Sequence, residues 1–331
     1  MSGLRALRRI QCAREVTRGT AVPTSTAQLI GKFSMKQDQK YYRPDDLETG
    51  NLSSYEQVHV VAEQMAGVFE SDANYQQLGY ILAMGVRGGV TPTGPSDALY
   101  TWTFEPNLTA INNVNSYTMK YGDNIQAFIS SFCFATDFEL SGSLEDAVKV
   151  KANIVGQNVR AGTFTSLSNP TVLNPIIMGN CRLFVNPSWA TLGGTQVSNT
   201  IIDFSYKVSQ GITPIKYGDG NLFFTETAEK KRHVEMDVTF AFTAGVAGYF
   251  TDYIASPQTA KFIRLAFQGP LVGTTARADL NLDGAFIIDD YDTFGERDGQ
   301  DIVKLKLISR RDATSGKEWS IILKNALAAL P

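Results

Sequence analysis

Only two histidines and three cysteines occur in the 331 residues of this chain, and 30 lysines and arginines nearly balance 33 aspartates and glutamates. Each scarcity excludes something. Cys12, Cys133 and Cys181 are odd in number and lack CxxC or metal-ligand spacing, which argues against a disulfide scaffold and for assembly in a reducing cytoplasm. A net charge of −3 leaves no basic footprint for gripping a phosphate backbone. No run of apolar residues is long enough to span a bilayer. HExxH, GxSxG and Walker patterns are missing. His59 and His233 each precede an acid by four residues, Glu63 and Asp237. On a strand that spacing is about 13 Å, too far for paired chemistry. The chain therefore offers no candidate catalytic residue.

What it does contain is a folded protein's composition, 43% hydrophobic and 19% charged. Its length is comfortable for two domains. Short matches recur in the same order in both halves. "FSMK" at 33–36 is answered by "FSYK" at 204–207, "GNL" at 50–52 by the same triplet at 220–222, and "EDAVKVKANI" at 145–154 by "GQDIVKLKLI" at 299–308. His59 and His233 fall into the same series, as equivalent positions of two copies. A shared order with drifting spacing points to a duplicated unit with loop insertions.

The expected architecture is mainly β, with two tandem β-sandwich or half-barrel domains, each flanked by a short α-helix. Residues 1–26 are expected to form an N-terminal arm that docks on a neighbour; their acid, Glu15, argues against a transit peptide. Residues 27–158 then form the first copy, 159–200 an inserted crossing segment, 201–325 the second copy and 326–331 a tail. In the first copy the pattern predicts strands over 33–42, 55–69, 99–106 and 146–156, and a short helix near 74–84. In the second it predicts strands over 201–208, 233–243, 261–267 and 301–309, and a helix near 246–255.

One stretch suggests a cation. In "DLNLDGAFIIDD", Asp279, Asn281, Asp283, Gly284 and Asp290 occupy positions 1, 3, 5, 6 and 12 of a calcium loop, with Asp replacing Glu at the last. Its flanks do not look helical, and the plainer reading is strand–turn–strand.

The segments "REVTRGTAVPTSTAQLIG" (14–31), "NYQQLGYILAMGVRGG" (74–89), "LYTWTFEP" (99–106) and "DFELSGSLEDAVKVKANIVG" (137–156) occur in an order that resembles the major tail tube proteins of long-tailed bacteriophages. The resemblance covers most of the chain, although no single motif is diagnostic. It implies a structural virion protein, assembled in the host cytoplasm, that needs no cofactor. Its rings would stack into the hollow tail that conducts DNA during ejection. Partners implied are the chain itself, a tape-measure protein, a tail terminator, tip or distal tail proteins, and DNA passing without specific binding; no membrane is involved. A duplicated chain would form trimers that imitate six subunits.

Asp38, Glu56, Glu63, Glu235 and Asp237 are then candidates for the lumen, where acids would repel phosphate. Arg5, Arg8 and Arg9 are candidates for inter-ring contact with Asp45, Asp46 and Glu48, and turn-rich 43–54 and 209–224 for ring-to-ring loops. Alternatives are a calcium-dependent β-sandwich binding or adhesion module, a contractile-tail inner tube, and a distal tail protein.

Overall fold

The computed structural model describes residues 3–43, 57–170, 173–198 and 200–330. The chain is mainly β, with two α-helices among the described residues. In the first half run β1 (Arg9–Arg14), β2 (Ala27–Leu29), β3 (Lys32–Tyr42), β4 (His59–Asp72), α1 (Leu78–Gly85), β5 (Thr93–Ser96), β6 (Leu99–Phe104), β7 (Tyr117–Gly122), β8 (Ala127–Ser143), β9 (Lys149–Gly156) and β10 (Arg160–Gly162). The second half continues with β11 (Cys181–Asn186), β12 (Gln196–Val197), β13 (Ile201–Ser209), β14 (Ile212–Ile215), β15 (Glu226–Glu229), β16 (His233–Ala241), α2 (Ala244–Ile254), β17 (Lys261–Leu271), β18 (Arg277–Arg297), β19 (Gln300–Ser309) and β20 (Trp319–Asn325).

A principal antiparallel sheet runs in the order β3–β4–β9–β8–β13–β16–β19–β18. The first four strands and the last four follow the same pattern. The row Phe33–Phe69–Ala152–Phe138 in one matches Phe204–Val238–Leu305–Tyr291 in the other. A β-bulge at Thr136 in β8 corresponds to one at Asp289 in β18. This register puts "FSMK" and "FSYK" at corresponding places in the two ladders. It does not equate the histidines: His59 pairs with Tyr42 near the tip of the β3–β4 ladder, whereas His233 pairs with Ser209 further along the corresponding ladder.

The long strands β8 and β18 each serve two layers. Their C-terminal stretches belong to the principal sheet, while their N-terminal stretches pair with β7 and β10 in one half and with β17 and β20 in the other. β1 and β2 extend the first of these second layers, and β11 and β12 extend the other. T-shaped and tilted ring pairs bridge the layers at matching places, Phe33 with Tyr121 (5.6 Å between centroids) and Phe204 with Phe267 (5.4 Å). A hairpin absent from the second half, β5–β6, crosses over to pair with β20.

Two expectations change here. Residues 9–14 are not a free arm: β1 hydrogen-bonds β7 over its whole length and buries Ile10, Cys12 and Ala13. Residues 181–197 are not an unmatched crossing segment either, because β11 and β12 occupy the places that β1 and β2 hold in the first half. The reason is that short strands carry little periodicity and are specified by the sheet edge that receives them.

Buried side chains from both halves form one large apolar cluster, from Ile10 to Leu330. Cys12 and Cys133 lie fully inside, and burial pushes both thiols up to about 12, so they act as small packing groups. A second, aromatic cluster of Phe132, Phe134 and Phe224 with Ile212 and Val114 anchors the start of the 212–229 hairpin. The 209–224 stretch is accordingly pinned down rather than a free loop: Leu222 accepts from the Glu63 backbone N–H, and Lys216 donates to the Glu63 carbonyl. Among the described residues no helix is long and apolar enough to cross a membrane.

Candidate functional site: the open face of the principal sheet

Alternation along each principal strand sends one set of side chains into the core and the other to an open face. On β13, Phe204, Tyr206 and Val208 are buried while Ser205, Lys207 and Ser209 face out. The open face is polar and ordered by charge. Reading straight across the strands, Lys32 opposes Glu70, Glu70 opposes Lys151, Lys151 opposes Glu139, Glu139 opposes Lys207, and Lys207 opposes Glu235. The sign alternates at every step. A neighbouring row runs Asp72–Lys149–Ser141–Ser205–Asp237–Lys306–Asp290, and a third Asp203–Thr239–Lys304–Asp292. Each lysine in these rows has an acid opposite on at least one side.

Opposite charges directly across an antiparallel pair attract weakly, by roughly 0.2–1 kcal/mol each. Lys151 stands 3.4 Å from Glu70, and Ser205 donates to Glu139 at 2.8 Å. Partial burial raises the Asp237 carboxyl; Lys306 opposes that shift and the nearby Glu235 and Glu139 reinforce it.

The sequence-predicted lumen residues divide. Asp38, Glu235 and Asp237 lie on the open face. Glu63 does not. It is on the opposite face of β4, buried, where it accepts from Gln37 (3.0 Å), Asn158 (3.2 Å) and both guanidinium nitrogens of Arg160 (2.5 and 3.1 Å). Burial would raise its carboxyl, but Arg160 and the two amides outweigh this and hold it below the ordinary value. Glu56 lies outside the described residues, as do Asp45, Asp46 and Glu48. Of the basic inter-ring candidates, Arg5, Arg8 and Arg9 are exposed. Arg8 adds its charge to the backbone N–H groups of Ile125 and Gln126 in holding the Asp123 carboxyl below its usual range, so it has an intrachain counterpart.

What sequence reasoning missed is the cationic half of the face: Lys32, Lys36, Lys151, Lys207, Lys304 and Lys306. Their signal was in plain view, since "KVK" at 149–151 and "KLK" at 304–306 alternate lysine with buried aliphatics.

The calcium reading fails on geometry. Residues 277–297 are one continuous strand, so Asp279, Asn281 and Asp283 point along an extended chain rather than around an ion, and Asp290 is far down it. Asp283 is instead clasped by Arg264 through two 2.7 Å bonds, and Asn281 donates to Asp279. Burial pushes the Asp283 carboxyl upward, with Arg264 offsetting part of that. The strand does not turn at Gly284 at all: a Cβ there would lie 2.4 Å from the Phe286 ring, so the glycine serves close packing. Among the described residues no three His, Cys, Asp or Glu side chains converge as a metal site would require.

No protein-family model matches the chain, and no curated protein matches its sequence. The open face and the two ends of its sheet therefore carry the functional reading.

Proposed function

We propose that the chain is a structural subunit of a hollow assembly, a tail-tube-like protein whose copies join into rings that stack around a channel for DNA. The observation that carries this is a sheet with one face packed on the core, the other rich in charged and polar side chains, and the outer edge of each terminal strand without a strand partner among the described residues. Among the described residues β3 pairs as a strand only with β4, and residues 289–297 of β18 only with β19. Long exposed edges are a hazard unless something pairs with them, and closing a barrel removes them.

A duplicated unit fits the matched strand orders, and three copies would then supply six equivalent sheets, as the resemblance to tail tube proteins implies. In that arrangement the open face lines the lumen. Its alternating charges lie about 5 Å apart, less than the Debye length of roughly 8 Å at physiological salt. A passing phosphate backbone then meets neither a continuous basic track nor a wall of acid. Such a surface lets DNA slide without holding it. The role is structural, without catalysis or cofactor, in the virion tail after assembly in the host cytoplasm. Tape-measure, terminator and tip proteins would be its other partners.

Sedimentation velocity over a concentration series tests the reading. The expected result is one discrete closed oligomer that gives way to larger stacks. A monomer at every concentration would remove it.

A further inference from the structure

We propose that the charge ladder of the open face continues from one copy of the chain to the next, with Asp292 on the β18 edge of one copy opposite Lys36 on β3 of the following copy. This rests on the self-assembly reading above and adds to it a polarity, a register and a deciding pair of residues.

The template is inside the molecule. Where the first four principal strands meet the last four, β8 pairs with β13, Glu139 stands opposite Lys207, and Ser205 donates to Glu139 at 2.8 Å. The two free edges are the counterparts of these two strands. Matching the cross-strand rows and the bulges at Thr136 and Asp289 makes Asp292 the counterpart of Glu139. Matching "FSMK" with "FSYK" makes Lys36 the counterpart of Lys207 and Ser34 that of Ser205. Acid, lysine and serine all recur at the free ends in the places they occupy at the internal junction. The correspondence is drawn over Ile287–Asp292, before a second bulge displaces the rest of β18.

Charge also sets direction. The β3 edge presents Lys32, Lys36 and Lys40 around a single Asp38, and the β18 edge presents Asp290 and Asp292; all are exposed. Two β3 edges brought together would oppose lysines, and two β18 edges would oppose aspartates, each unfavourable. Head-to-tail pairing in the register of the internal junction sets Asp292 against Lys36, and Asp290 then meets Asp38 between the lysines Lys36 and Lys40. A heterologous contact of that kind closes into a ring or propagates, whereas like-to-like pairing would end at a dimer.

The test is a charge swap read by sedimentation velocity, with thermal melts confirming that each variant folds. Lys36→Glu and Asp292→Lys alone should each raise the concentration needed for assembly about tenfold. The two together in one chain should restore it, because the pair is rebuilt with its sign reversed. As an independent reading, in a Cys181→Ser background that removes the one partly exposed native thiol, Lys36→Cys with Asp292→Cys should give disulfide-linked oligomers under mild oxidation, while Ser34→Cys with Asp292→Cys should not; native Cys12 and Cys133 are buried and do not compete. Chains that assemble yet ignore both reversals, or cross-link only in the shifted pair, overturn this pairing and leave the assembly reading standing. Wild-type chains that never assemble overturn both.

Discussion

The two helices occupy matching places in the chain and have opposite surroundings. Every residue of α1 is buried, whereas in α2 only Val246 is. α1 lies against β8 on one side, with Gly85 close to the Phe138 ring, and is roofed on the other by Leu323 of β20 and Leu330, which approach Gly79. Elements of the second half thus complete the first. The first half in turn lends its β5–β6 hairpin to β20 but leaves α2 mostly exposed. α2 rests on β18 through Phe250, Tyr253 and Tyr291, and leaves Phe250 and Ile254 exposed beside the exposed pair Phe242 and Phe294. The uncovered helix sits on the same strand whose edge is unpaired. One helix is covered from within the chain, and its counterpart is largely exposed.

Two buried carboxylates that face an arginine extend the contrast and give the largest expected effect. Asp283 in the second half is almost fully enclosed and depends on Arg264 (side chains 2% and 23% exposed), so Arg264→Leu should cost about 3–5 kcal/mol in denaturant unfolding. Adding Asp283→Leu should recover most of it. In the first half Arg160 is 54% exposed and Glu63 keeps Gln37 and Asn158, so Arg160→Leu should cost only about 1 kcal/mol. Equal losses at the two sites would break the comparison.

Next in size come the helices themselves. Leu82→Ala in the enclosed α1 should cost about 2–5 kcal/mol. Ile254→Ser on α2 should stay within about 0.5 kcal/mol for the isolated chain. A large loss at Ile254 in the monomer would mean that α2 is already covered.

The smallest effect is in pH. The Glu63 carboxyl titrates lower in the folded chain than in the unfolded one, so its stabilisation is present above the unfolded value near 4.3 and is lost as pH falls through the folded value. Glu63→Gln should therefore flatten the acid limb of the stability curve and leave its shape near neutrality unchanged. An acid limb that stays the same would show that Glu63 is not held by Arg160 in solution.

Much of this fold was legible in the sequence. Alternation located β4, β9, β16 and β19, the spacing of apolar residues located α1, and "FSMK" and "FSYK" fall at corresponding places in the β3–β4 and β13–β16 ladders. What failed was pairing information. β1 and β11 are too short to carry a pattern of their own. Gly284 was read as a turn because a glycine after an aspartate signals one, although the ring that requires it belongs to Phe286 two residues along the same strand, and Arg264, which claims Asp283, comes from the adjacent strand. Glu63 keeps parity with the buried Met65 and Phe69, and it was placed on the wrong face because Asn158 and Arg160, which satisfy it there, are distant in sequence. The charge ladder itself exists only once registers are fixed, since Glu70, Lys151, Glu139 and Lys207 are far apart in sequence.

Electron microscopy of the purified chain at high concentration tests the central claim most directly. The account predicts hollow rings or tubes whose end views show threefold symmetry with six similar lobes around an open channel. Solid particles, open fibrils without a channel, or isolated monomers would contradict it.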